Sequence, residues 1–200
     1  MACMREALSF RSGTVPSRGR CFLYVFPGHW EDLLKLGISR DPLQRIRTLH
    51  PRWFGFFDLD AGWLVELERV REARALELSL RHALAEHRAV APLTVREAAG
   101  GHTEWLRGAG AALRAEADAL RARGHRLHAP LREWLRGALD ADSQRLFAWS
   151  QAMLDAGVLE DPSPRANLRQ AVRDALDACT ALGIALEDRL PERVWAWYRR

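Results

Sequence analysis

Cys21-Phe-Leu-Tyr-Val-Phe26 and Leu33-Leu-Lys-Leu-Gly-Ile-Ser39 are two short runs of apolar and aromatic residues, separated by the stretch from Pro27 to Asp32. Such runs bounded by turn residues read as strands, and the stretch between them fits a hairpin loop. A helix start follows at once. Asp41 can cap, Pro42 falls at the first helical position, and Gln44 completes a capping-box pattern. That helix is expected to end at His50-Pro51, because the residue before proline avoids helical backbone.

Further along, Phe54–Leu59 and Trp63–Leu67 read as strand-like segments on either side of a turn at Asp60-Ala61-Gly62. From Glu72 to His87 the period turns helical, with Ala73, Leu76, Leu80, Ala83 and Leu84 on one stripe. A loop containing Pro92 and Gly100-Gly101 leads to His102-Thr-Glu-Trp-Leu106. After Gly110 the texture becomes helical: Ala111–Arg123, Leu131–Leu139, Asp140–Asp155 and Arg165–Leu182. Gly124 and Pro130 mark His125-x-x-His128 as a loop, with too few ligating residues nearby for a zinc site. The aromatic tail Val194–Tyr198 is expected to pack down. The expected class is α/β (α+β): a small mixed sheet flanked by helices, then an all-α region. The division is an N-terminal arm over 1–19, an α/β domain over 20–110 and a helical domain over 111–200.

Composition is that of an ordinary globular chain of 200 residues, 48% hydrophobic and 28% charged. No apolar run is long enough to cross a membrane, and the N-terminus has no secretory pattern. Cys3, Cys21 and Cys179 are isolated in sequence, which argues against a thiolate metal site and suits a reducing cytoplasm. The net charge of +4 permits a nucleic-acid partner without requiring one. Basic and acidic residues are nearly balanced in both halves, and arginines such as Arg114, Arg121, Arg132, Arg136 and Arg145 sit among acids. They read as a mixed solvated surface. Trp134, Trp149, Trp195 and Trp197 read as core before they read as base-stacking platforms. Of 30 basic residues, Lys35 is the single lysine. An ammonium can shift its pKa and release a proton where a guanidinium cannot.

Phosphodiester hydrolysis needs a group that orients or deprotonates water, cations facing the developing charge, and a metal ligand. The hairpin offers Tyr24 and Lys35, and the capped helix offers Arg45. The later helix offers a carboxylate: at 100° per residue Glu77 lies about 20° beyond Leu84, at the border of the buried stripe. Glu72 borders the opposite edge, so stripe geometry leaves both acids as candidates.

These residues resemble, in order and spacing, the GIY-YIG nuclease superfamily. Leu23-Tyr24-Val25 is similar to its first signature and Lys35-Leu-Gly-Ile-Ser39 to its second, followed by Ser39-x-Asp41-Pro42-x-x-Arg45. Ala73-x-x-Leu76-Glu77-x-x-Leu80 resembles the helix carrying the family's metal-binding glutamate. His102-Thr-Glu-Trp-Leu106 resembles the ending of compact phage and mobile-element members. The match covers roughly residues 20–107.

The resemblance implies a metal-dependent endonuclease acting on nucleic acid, DNA before RNA. Tyr24 would act on the attacking water, Lys35 would assist it or stabilise the phosphorane, and Arg45 would clamp the scissile phosphate. Glu77 would hold Mg²⁺ or Mn²⁺, hard ions content with one carboxylate and waters. His50 would correspond to a histidine found after the arginine, while Arg47, Arg52 and Glu104 would contact substrate. Lysine at position 35 stands where most members have tyrosine, and the late asparagine of many members has no clear counterpart. A non-catalytic nucleic-acid-binding module and a helical protein-interaction adaptor are the alternative readings. The C-terminal helices are the expected surface for a homodimer or a protein partner.

Overall fold

The computed structural model describes residues 20–95, 99–100, 102–160 and 165–200; the expected N-terminal arm lies outside them. Strand β1 (Cys21–Pro27) and strand β2 (Leu33–Ser39) form the expected antiparallel hairpin, in a register that sets Tyr24 opposite Gly37 and Phe26 opposite Lys35. Alternate residues of a strand point to opposite faces. Phe22, Tyr24 and Phe26 accordingly join one core, and Cys21, Leu23 and Val25 the other. Burial on both faces explains why the strand reads as a continuous apolar run.

Strand β3 (Trp63–Leu67) pairs with the other edge of β1, and β5 (Trp105–Arg107) pairs with β2. The short strands β4 (Arg88–Ala89) and β6 (Arg126–His128) complete the order β4-β5-β2-β1-β3-β6. The α+β class is as expected, but each of these ladders is antiparallel, where a mixed sheet was expected. Residues 126–128 were expected in a loop. Three residues carry too little alternation to announce a strand, and β3 supplies the edge that makes them one.

Helix α1 (Pro42–Leu49) starts as read: Asp41 Oδ1 accepts the Gln44 N–H at 2.9 Å. The reciprocal half of the capping box is replaced by Ser39 Oγ, which accepts the Asp41 N–H at 3.0 Å. The expected strand at 54–59 is instead the short helix α2 (Trp53–Phe56). Its aromatic content mimics a strand, yet Trp53 and Phe57 bury together at helical spacing, and the Phe57 N–H donates to the Trp53 carbonyl at 3.0 Å.

Helix α3 (Val70–Ala83) and helix α4 (Gly110–Ala122) cover one face of the sheet through Ala73, Leu80, Leu113, Ala117 and Leu120. Helices α5 (Leu131–Ala141), α6 (Ser143–Asp155), α7 (Ala166–Ala181) and α8 (Glu192–Tyr198) build over the other. That second core runs without a break from Phe22, Tyr24 and Phe26 through Leu131 and Leu135 to Val194 and Trp197, so the aromatic tail packs as expected. The texture changes near Gly110 as the sequence suggested. Yet α4 and β6 belong to the sheet's own layers, and the later helices share its core. Among the described residues, no helix is long and apolar enough to cross a membrane.

A shared core predicts shared melting. Leu135→Ala, at a fully buried position, is expected to cost ~2–5 kcal/mol and to lower one cooperative transition. Two separable transitions in calorimetry would show instead that the helices and the sheet melt independently.

Candidate active site

Tyr24 stands at the middle of β1, 2% exposed, with its ring stacked on Phe26 at 4.2 Å. The phenol lies across Gly37 of the neighbouring strand: a Cβ built there would be 2.5 Å from the Tyr24 oxygen. Glycine is required at that point because the ring occupies the space a side chain would fill. From above, Arg45 of α1 donates its Nε–H to the Tyr24 oxygen at 3.2 Å. Its other nitrogens donate to the Ala99 carbonyl at 2.5 Å and the Gly100 carbonyl at 3.3 Å. Burial pushes the phenol above its ordinary pKa, and the Arg45 charge and hydrogen bond offset part of that rise.

Lys35 projects from the same face of the sheet, since it lies two residues from Gly37. It is completely buried, and its ammonium donates to Glu104 Oε2 at 2.5 Å. Glu104 immediately precedes β5 and is fixed by its own backbone, whose carbonyl accepts the Leu36 N–H at 3.1 Å. Thr103 Oγ1 donates to its other oxygen at 2.9 Å, and Arg81 of α3 lies 3.8 Å away. Burial pushes the Lys35 ammonium below its usual range, more than the Glu104 partner restores. Burial likewise works to raise the Glu104 carboxyl, but the Lys35 hydrogen bond and charge, with Thr103 and Arg81, hold it below its ordinary value.

Glu77 comes from the opposite face, on α3, between the buried Ala73 and Leu80. The edge of the sheet lets the two faces meet. β5 pairs only with Leu33–Lys35, so Gly37–Ser39 has no strand partner on that side among the described residues. Glu77 is half-buried and has no hydrogen bond or ion pair with any described residue. Burial raises its carboxyl first, and repulsion from Glu104 adds to the rise, against attraction from Arg81, Lys35 and Arg74. Tyr24 and Lys35 both feel the charges of Arg45, Glu77 and Glu104, so the five groups share one field. The structure also separates the two acids that the stripe left equivalent: Glu72 is exposed, 3.9 Å from Arg69, and lines a different cavity with Glu66 and Arg126.

A groove of about 450 Å³ opens beside this cluster, floored by Cys21, Ile38 and Val70 and edged by Arg45 and Arg74. Arg81 and Gly37 complete the site. The signal for Arg81 was its position one helical turn beyond Glu77; the need for Gly37 follows from strand register and is invisible in a linear motif.

Three expected site residues lie elsewhere. His50 caps the C-terminal end of α1, stacks on Phe56 at 4.4 Å and accepts the Arg52 N–H at 3.1 Å. Arg47 lies 3.8 Å from Asp142, largely desolvated, with its pKa lowered by burial. Arg52 holds Asp174 and Asp177 of α7 at 2.8 and 2.9 Å. The two arginines bind the sheet layer to the C-terminal helices instead of reaching into the groove.

Among the described residues, no group of three or more His, Cys, Asp or Glu is arranged to hold a metal ion. What fits a hard divalent ion is a single carboxylate, Glu77, which has no hydrogen bond or ion pair among the described residues and whose ionised form a cation would relieve. Glu104, the nearer second carboxylate, is committed to Lys35. Comparison of the chain with protein-family models, with curated proteins and with solved structures finds no match.

Because the folded state raises the Glu77 pKa, it favours the protonated acid. That contribution to stability is complete below the ordinary carboxylate value and is lost as pH rises through the folded value. Glu77→Gln is therefore expected to melt higher than the parent at neutral pH, with the gap closing in acid; a variant that melts lower at neutral pH would contradict this. Gly37→Ala is expected to cost about 1–3 kcal/mol through the clash with the phenol. Combined with Tyr24→Ala it should cost less than the sum of the two single changes, and strict additivity in denaturant titration would refute the contact.

Proposed function

We propose that this chain is a GIY-YIG-type nuclease that hydrolyses phosphodiester bonds of nucleic acid, DNA in the first place, with Mg²⁺ or Mn²⁺. The observation that carries this reading is the Tyr24–Arg45 hydrogen bond over Gly37, which sets a phenol and a guanidinium in one field with Lys35, Glu104 and Glu77, while Arg45 also lines the groove. The order of signature-like motifs along the chain supports it.

In this reading the scissile phosphate enters the groove beside Arg45. Its oxygens replace the Ala99 and Gly100 carbonyls as acceptors of the guanidinium donors, whose forked geometry matches a phosphate. Tyr24, kept protonated at neutral pH by burial, orients the attacking water instead of taking its proton. The water oxygen bonds to phosphorus, the bond to the leaving oxygen breaks, and the leaving oxygen is protonated from solvent. The water's proton passes to the Lys35–Glu104 pair, in which Glu104 is the partly exposed carboxylate and Lys35 sets its charge. A divalent ion bound at Glu77 supplies neutralisation of the charge that builds on the phosphoryl oxygens.

A second reading, nucleic-acid binding without cleavage, is favoured by two facts: Tyr24 and Lys35 are shut from solvent, and each Arg45 nitrogen already donates one hydrogen bond. Incubation with plasmid, single-stranded DNA and RNA in Mg²⁺ or Mn²⁺ separates the two. Cleavage is expected, with Glu77→Ala and Arg45→Ala each slowing it by about 10²-fold or more. Lys35→Arg, which keeps the charge but has no accessible neutral form, should lower kcat more than it raises KM. No cleavage of any substrate, with salt-sensitive binding retained, would decide for the second reading.

A further inference from the structure

Arg165, Arg169 and Arg173 recur at i, i+4 spacing, which brings them to one side of α7. The last two lie over the indole of Trp197 on α8, at 5.6 and 4.9 Å from its centroid. Arg173 also lies 5.6 Å from the Tyr198 ring, and Arg199 lies 5.7 Å from the Trp195 ring. Four other arginines of the C-terminal half are matched with acids, Arg132 with Asp60, Arg145 with Asp142, Arg189 with Asp140 and Arg193 with Glu160, whereas Arg114, Arg136 and Arg200 have neither a matched acid nor an aromatic ring beneath them among the described residues. Arg169, Arg173 and Arg199 have no carboxylate within ion-pair distance among the described residues. Acids are close by, but they are taken. Asp174 accepts from Arg52 and from Gln170, and Asp177 accepts from Arg52 and from Tyr198 at 2.8 Å.

A guanidinium laid on an aromatic ring has one face covered and its N–H donors left at the edge. It loses little freedom on binding because the ring already holds it. Three such groups on adjoining elements suit a row of phosphates. The aromatic rings are not suited to a bilayer: the Trp195 and Trp197 ring nitrogens are buried in the protein.

We propose that Arg169, Arg173 and Arg199, held on Trp195, Trp197 and Tyr198, form a second nucleic-acid contact that grips the phosphodiester backbone away from the groove. The choice of nucleic acid as the polyanion rests on the proposed function; the surface itself does not. The helical half then supplies affinity, and the groove supplies chemistry.

The test uses the full chain carrying Glu77→Gln, so that binding is read without cutting, and a fluorescein-labelled DNA duplex titrated across salt concentrations. Adding R169Q and R173Q is expected to weaken binding and to lower the slope of log affinity against log salt by about 2. R169K with R173K, which keeps charge, should retain most of that slope. If the glutamine pair fails to fold, Arg199→Gln at an exposed position carries the same comparison, with an expected slope change of about 1. Unchanged affinity and slope in the folded variant would overturn the proposal. So would equal, stripe-dependent binding of polyglutamate or phosphatidylserine vesicles. Stripe-dependent binding by a parent chain that never cuts would sink the nuclease reading alone, and cleavage with stripe-independent binding would sink the stripe alone.

Discussion

Strand β1 is hydrogen-bonded on both edges and buried on both faces, which leaves almost no position for a polar group. A polar atom set there must find a partner or cost several kcal/mol. On one face the β1–β2 hairpin nonetheless carries a phenol and an ammonium, Tyr24 and Lys35. Each is answered from outside the hairpin, by Arg45 of α1 and by Glu104 before β5. The capped helix, the loop that turns into β5 and the end of β5 itself are therefore held where two buried polar groups require them. Among the described residues, Glu77 completes the cluster without a bond of its own, and its carboxylate is the one left to receive something from solvent.

Such an arrangement adds little to stability. A buried ion pair is no cheap source of folding energy, because desolvation consumes much of its attraction. Burial lowers the pKa of Lys35 in its apolar sheet and raises that of Glu77 beside Glu104, so each is shifted toward its neutral form. Groups of this kind gather where protons or cations are handled more often than where a scaffold is merely being held together.

The sequence makes the hairpin, α1 with its Asp41 cap, the helices after Gly110 and the four residues Tyr24, Lys35, Arg45 and Glu77 legible, because each rests on a local pattern. What it hides is non-local. β6 exists only because β3 offers an edge, and α2 only because Trp53 and Phe57 bury together at helical spacing. Arg47 and Arg52 follow Arg45 in sequence and look like further phosphate ligands. Their partners, Asp142, Asp174 and Asp177, lie far along the chain, and no local pattern announces that pairing. The choice between Glu72 and Glu77 likewise depends on where β5 stops.

The moorings made by Arg47 and Arg52 bear on how this chain can change over evolutionary time. A layer whose sheet closed on itself could be cut out and joined to any other domain. Here β6 covers an edge of β3, Leu131 and Leu135 share one core with Tyr24, and Arg47 of α1 and Arg52 at the start of α2 are tied to Asp142 before α6 and to Asp174 and Asp177 of α7. Severed near Gly110, the first half would expose an unpaired strand edge, an uncovered apolar face and two cations stripped of their carboxylate partners at once. The two halves are thus expected to be gained or lost as one piece, because neither leaves the other a closed surface.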